Sequence, residues 1–238
     1  ILEKMNKDIY KSPTEMGVNK VKEGIIDDNV IREASKQEIV RRYFRYKKEN
    51  ILGMTSKDAV DKIQRLMQTL NIDESYRDVV NAAREAAYEC AKQEDKGNKG
   101  FYCGCAIDVN GSIIKGKNSR LLHAESACVI NALKFISNIP DDIHILPSSV
   151  ISDICELKRQ TGSNSNPSLD VNEILIALSV SSSTNPAVSK CLANISRLHN
   201  CEMHTTHMIS KGDESGLRDL GINLTTDAEF TPKIYLNN

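Results

Sequence analysis

The sharpest change of period along the chain falls between residues 103 and 137. Residues 105–109 alternate in a β-leaning pattern, Asn110-Gly111 is a two-residue hairpin signal, and 112–117 returns, so an antiparallel hairpin is predicted. From about Leu122 the apolar positions Ala127, Ile130 and Leu133 recur at helical spacing, which predicts a helix directly behind the hairpin. Three helices are predicted upstream. Asp27-Asp28 caps the first, over 29–51, whose acidic start and basic end (Arg41, Arg42, Arg45, Lys47, Lys48) suit the helix dipole. Gly53 stops it, Thr55 or Ser56 caps a second that runs to about Leu70, and Asp73 opens a third through Val79, Ala83, Ala86, Ala87 and Cys90. Ile39, Tyr43, Ile63, Leu66, Leu70, Val79 and Val80 form apolar stripes along them, the pattern of a small bundle core.

Beyond the hairpin helix, the pattern predicts a short strand over 143–146, a helix from Pro147-Ser148 to about Gln160, and a polar loop over 161–168. An apolar helix over 171–180 follows, opened by Asp170, and then a helix from Pro186 to about Leu198. A strand over 201–209, a short helix over 213–220 closed by Gly221 and a last strand over 222–230 complete the chain. The expected class is α+β and helix-rich, a helical bundle followed by a three-layer α/β sandwich. Its expected parts are a connector (1–26), the bundle (27–96) and the sandwich (97–238), with the polar run 93–100 as boundary.

With 31 basic against 32 acidic residues the net charge is -1, which argues against general affinity for nucleic acid or an anionic membrane. The seven cysteines are odd in number and scattered through apolar patterns, as free thiols in a reducing compartment would be. No apolar run approaches the ~20 residues of a membrane span, and a cytoplasmic location is expected. Ile1 is not an initiator and the chain opens inside an amphipathic segment, so a piece of a longer protein is expected.

The catalytic candidates are His123 and Glu125, at the hand-over from hairpin to helix. A zinc deaminase uses a metal-binding His and a proton-shuttling Glu two positions apart, together with Pro-Cys-x-x-Cys. That second segment is absent: the next predicted helix begins Pro147-Ser148-Ser149-Val150 and leaves Cys155 alone, so no metal is expected. Cys103 and Cys105, alternate strand residues, point the same way and read as small buried side chains. Ligand-contact candidates are Lys11, Ser12, Thr14 and Asn19 in an ordered polar loop, Lys117, Asn118 and Ser119 before a helix start, Thr184 and Asn185 before another, and the polar strand residues His204 and His207. Strand ends where helix N-termini converge are the usual place for a ligand. A single cleft uniting Lys117, Ser119, Thr184, Asn185 and the His204 strand, roofed by the 11–19 loop, is therefore expected.

The segments YKSPTEMGVN, ASKQEIVRRYF, GKNSRLLHAESACVINALK, NEILIALSVSSSTNPA, CEMHTTHMIS and LGINLTTD, in this order, resemble the C-terminal half of the bacterial domain-of-unknown-function family numbered eighteen forty-six. The resemblance covers nearly the whole chain and implies a bundle followed by a sandwich that looks cytidine-deaminase-like. It implies a partner too, an N-terminal half with a glycine-rich nucleotide-binding module, and it implies that small residues can stand at the position of Glu125. The leading expectation is a chain that packs against and completes this nucleotide- or phosphate-handling half, without a complete active site of its own, around a phosphate-bearing small molecule. The alternatives are a zinc-dependent deaminase-type enzyme using His123 and Glu125, and a dimerising scaffold; homo-oligomerisation is open.

Overall fold

The computed structural model describes residues 27–93, 97–98, 100–161 and 168–231. Among these it is an α+β protein with eight α-helices and one four-stranded mixed sheet, and no helix is long and apolar enough to cross a membrane. The chain divides into two compact units, Ile1–Arg77 and Asp78–Asn238.

In the first unit α1 (Asp28–Ile51) starts where the Asp27 carboxylate accepts the backbone N–H groups of Asn29 and Val30, at 2.9 and 3.2 Å. It packs against α2 (Lys57–Thr69), burying Val40, Tyr43, Phe44, Ile63 and Met67. A 3-10 turn (Glu74–Tyr76) is held to α1 by Lys47–Glu74 at 3.2 Å and by Gln37, which donates to the Tyr76 carbonyl at 3.0 Å.

The second unit opens with α3 (Asp78–Ala91), the helix assigned from sequence to a three-helix bundle. It packs on the sheet instead, so the compact units part at Arg77, ahead of the polar run at 93–100. The stripe Ala83, Ala86, Ala87 explains the placement: it brings the helix backbone so close to β1 (Gly104–Val109) that a Cβ on Gly104 would collide with Ala83 O and Ala87 N. An alanine stripe reads the same whether it will meet a helix or a sheet.

The hairpin is as predicted, with β2 (Ser112–Lys117) paired to β1 and Asn110 and Gly111 both at positive φ, 53° and 84°. The sheet order is β2-β1-β3-β4, with β3 (Glu202–Thr205) antiparallel to β1 and parallel to β4 (Asn223–Thr226). Pleating divides the hairpin. Gly104, Ala106 and their partners Lys117 and Lys115 face α3, and the two lysines reach Glu89 and Glu85 there. Cys105, Ile107 and Gly116 face the other way, toward α4 (Ala124–Ile136), where a Cβ on Gly116 would collide with Ala124 O and Cys128 N. Helices therefore cover both faces of the sheet.

Between α4 and β3 lie α5 (Ser148–Gln160), α6 (Val171–Ser181) and α7 (Pro186–Ala193), which build the core with Ile151, Cys155, Ile174, Leu178, Val188 and Cys191. α8 (Lys211–Asp219) makes the crossover from β3 to β4. Four predicted elements change. Residues 143–146 form no strand; Ile145 and Leu146 plug the core as irregular chain. The helix from Pro186 stops at Ala193 and a 3-10 turn (Ile195–Leu198) completes it. The last two strands are four residues each: their parallel ladder closes with Asp227 N–H to Thr205 O, and beyond it Met208 N–H bonds to Glu229 O. Apolar pattern locates a strand, whereas its length depends on how far its partner runs.

Candidate functional site

Three helix N-termini converge beside the sheet. His123, the N-cap residue of α4, donates its backbone N–H to Leu169 O at 3.0 Å, and Ser126 Oγ reaches the same carbonyl at 2.9 Å, which ties α4 to the entry of α6. That entry is fixed by a capping box, Asp170 with Glu173, each accepting the other's N–H at 2.9 Å. α8 starts at the Ser210 cap, and Asp213 in its first turn accepts the backbone N–H of Val171 at 2.9 Å. The positive ends of α6 and α8 thus both bear on one carboxylate.

That carboxylate holds an imidazole. His123 Nδ1 lies 2.7 Å from Asp213 Oδ2, which also accepts the Ser210 hydroxyl at 2.7 Å. The third member is Glu125, whose Oε1 accepts the Thr205 hydroxyl from the end of β3. One ligand atom from each of His123, Glu125 and Asp213 lies within 4.8 Å of the other two, and all three residues are buried. Cys103 adds a thiol 4.0 Å from Glu125 Oε1 and 3.5 Å from Thr205 Oγ1. These groups line a cavity of ≈ 20 Å³ with Phe101, Asn118 and His207, room for about one water molecule. Its rim is made by half-buried His207, Ile209, Ser210 and Thr231.

The electrostatics follow from burial and from Asp213. Burial drives the Glu125 carboxyl up, the Asp213 charge adds to this, and against the Thr205 hydrogen bond and His123 it comes to about 7. Burial alone would lower the His123 imidazole, but the Asp213 charge and hydrogen bond outweigh it and the net direction is up. Burial, reinforced by Glu125, pushes the Cys103 thiol far above its ordinary range, so it is a neutral wall group. His207 is held below the ordinary imidazole value by burial and stands edge-on to Phe101, with ring centroids 4.6 Å apart.

The remaining candidates separate. Lys11, Ser12, Thr14 and Asn19 lie outside the described residues. Lys117 is paired with Glu89 at 2.7 Å. Asn118 is a buried clamp: its Oδ1 accepts Cys103 N–H at 2.7 Å and its Nδ2 donates to Phe101 O at 3.1 Å, so it shapes the cavity wall. Ser119 Oγ accepts the N–H groups of Leu121 and Leu122, Thr184 Oγ1 donates to Ser181 O, and Asn185 caps α7 through Ala187 N–H. His204 is fully buried, its Nδ1 2.8 Å from Thr225 Oγ1. The single cleft expected from sequence is therefore corrected: its hydroxyl and amide groups serve local turns and caps, and His204 is sealed in the core. His123, Glu125, Asn118 and His207 line one cavity, and Lys117 and Ser119 line a separate pocket. Sequence reasoning passed over Asp213, Ser210 and Thr205, and read Cys103 as the small buried side chain it is; the one available signal was a Ser-x-x-Asp helix start just after the polar strand run 204–207.

Fold and site define a mixed-sheet α+β protein with a polar, water-sized site buried at converging helix N-termini. The chain belongs to the DUF1846 family: residues 75–235 match the model described as domain of unknown function DUF1846, C-terminal, and residues 1–71 match the corresponding N-terminal model. The expectation of the C-terminal half alone is corrected by this second match. Similar proteins include UPF0371 proteins of Clostridium botulinum (strain Langeland), 37% identical over 243 residues, and of Fusobacterium nucleatum, 39% identical over 243 residues. Each alignment covers 100% of this chain and 48% of the relative. A UPF0371 protein of Clostridium tetani is 38% identical over 231 residues, 96% of this chain and 46% of the relative. The chain spans about half the length of the curated relatives it matches.

Proposed function

We propose that the unit beginning at Asp78 is a small-molecule enzyme of hydrolytic, deaminase type that activates water at the His123–Asp213–Glu125 cluster. The observation that carries this reading is Asp213: the helix crossing from β3 to β4 presents it to His123 beside the cavity that Glu125 lines. In the zinc deaminases a His-x-Glu segment is completed by two cysteines of a later segment. The order of hairpin, His-x-Glu helix, β3 and α8 supports a scaffold of that type, with α5 to α7 as an insertion before β3. On this reading α8, and not the helix start at Pro147, is the place for the completing groups.

The deaminase metal set of one imidazole and two thiolates does not fit the residues present. α8 offers a carboxylate and a hydroxyl, Cys103 is held as the thiol, and Cys155 does not line the cavity. The chain's own groups supply proton handling. Asp213 accepts from His123 Nδ1, which leaves the other ring nitrogen for water or substrate. Glu125, poised near neutrality and oriented by Thr205, takes a proton from the attacking water and returns it to the departing nitrogen. The water oxygen bonds to an amidine carbon, the exocyclic C–N bond breaks and ammonia leaves, and the second water proton passes to the ring nitrogen as the carbonyl forms. The cavity holds the reacting water, so the substrate sits at the rim formed by His207, Ile209, Ser210 and Thr231.

Ammonia release from a panel of aminopyrimidines, aminopurines and other amino-substituted heterocycles tests the reading. Turnover should fall by ~100-fold or more in Glu125→Gln and in Asp213→Asn, with both variants folded by circular dichroism. No release from any member, or release unchanged in the two variants, sinks it.

A further inference from the structure

We infer that His123, Asp213 and Glu125 form a binding site for one first-row divalent cation of Mn2+ or Zn2+ type, held by nitrogen and oxygen without any thiolate. The site is compact: the ligand atoms lie within 4.8 Å of one another on side chains from the starts of α4 and α8, both tied to the entry of α6, α4 by His123 N–H to Leu169 O and α8 by the Asp213 carboxylate on Val171 N–H. The ≈ 20 Å³ cavity beside them is large enough for an ion or its one remaining water and too small for an organic ligand. Two carboxylates buried this close repel each other and carry a large desolvation cost unless a positive charge sits between them. Among the described residues no Arg or Lys lines this cavity, so among them the compensating charge is either a proton on this cluster or a cation.

The hydrogen bonds favour a cation-ready geometry. Val171 N–H and the Ser210 hydroxyl fix the Asp213 carboxylate, and the Thr205 hydroxyl fixes Glu125, an outer layer that orients ligand groups as metal sites require. A cation would take the place of the proton that His123 Nδ1 and Asp213 Oδ2 share across 2.7 Å. One imidazole with two carboxylates suits Mn2+, Fe2+ or Zn2+, whereas Ca2+ asks for six to eight oxygens that the cavity does not offer.

The inference does not depend on deamination, because a cation here could equally hold the three helix starts together. The probe is Mn2+, which competes poorly for the seven cysteines, added to the chelator-treated chain and followed by loss of the free-ion electron paramagnetic signal. One Mn2+ per chain should bind, Zn2+ should displace it, and the unfolding temperature should rise by roughly 5 °C at a hundredfold excess over Kd. Glu125→Gln and Asp213→Asn should weaken binding at least tenfold, while Cys155→Ser, away from the cavity, should leave it unchanged. If Asp213→Asn fails to fold, Glu125→Gln carries the test. Absence of binding at ~1 mM Mn2+, binding indifferent to Glu125→Gln, or loss of binding in a folded Cys155→Ser variant overturns the site. A bound ion without ammonia release would leave the site standing and sink only the deaminase reading; ammonia release by a chain that binds no Mn2+ would do the opposite.

Discussion

Replacing Glu125 by Gln in metal-free protein should stabilise the fold increasingly as pH rises from the ordinary carboxyl value to neutrality, and by a constant amount above it. In the folded chain the Glu125 carboxyl titrates near 7 against 4.5 in the ordinary state, because burial and Asp213 oppose its charge. A carboxyl raised on folding contributes its stability fully below the unfolded value, and that contribution is lost as pH rises through the folded value. At about 1.4 kcal/mol per pH unit, the ionised form costs about 3 kcal/mol once pH exceeds 7. Gln keeps an acceptor for the Thr205 hydroxyl and carries no charge, so it escapes this cost. Thermal unfolding with chelator present, at pH 5 and pH 8.5, reads the difference. The variant should unfold roughly 2–3 °C above the parent at pH 5 and roughly 6–12 °C above it at pH 8.5. With saturating Mn2+ the order should invert, because the ionised Glu125 is then a ligand. Equal unfolding temperatures at both pH values without metal would refute the reasoning, as would a variant uniformly weaker at both.

Two further outcomes concern the scaffold. Gly116→Ala should cost more than ~3 kcal/mol and Gly104→Ala a similar amount, because each new methyl falls within 3.0 Å of helix backbone that cannot swing aside, whereas Gly111→Ala should cost only about 1 kcal/mol of positive-φ strain; urea unfolding of the three variants ranks them. Arg84 forks onto Asp227 at 2.6 and 3.0 Å. Burial raises that carboxyl, but His204 and Arg84 outweigh it and hold it well below the usual range. Its stabilisation is therefore present above the unfolded carboxylate value and lost as pH falls through the acid range. Arg84→Ala should cost about 1–2 kcal/mol at pH 7 and progressively less in acid, by chemical denaturation at a series of pH values; a cost independent of pH counts against the charge argument.

The hairpin, the His123 helix start and the Asp27 and Asp170 caps were all legible in the sequence, because each is decided by contacts within a few residues. Asn110-Gly111 dictates its own turn, and Asp170 dictates a helix start whatever lies above it. Half of the candidate site was legible for the same reason, since His123 and Glu125 stand together on one helix. Its other half was not. Asp213 lies 90 residues from His123, and no local period signals that α8 will lay its first turn against α4 and α6. The meeting depends on β3 pairing antiparallel with β1 and on the crossover that follows, pairings made by backbone groups that every residue carries alike. The same holds for α3, whose alanine stripe announces a close partner without saying which, and for Thr184 and Asn185, polar residues that only packed neighbours could assign to a cap instead of a cleft. Sequence alone determined the elements and one arm of the site; the tertiary structure decided which buried carboxylate faces the imidazole, because that is a long-range choice among surfaces of similar chemistry.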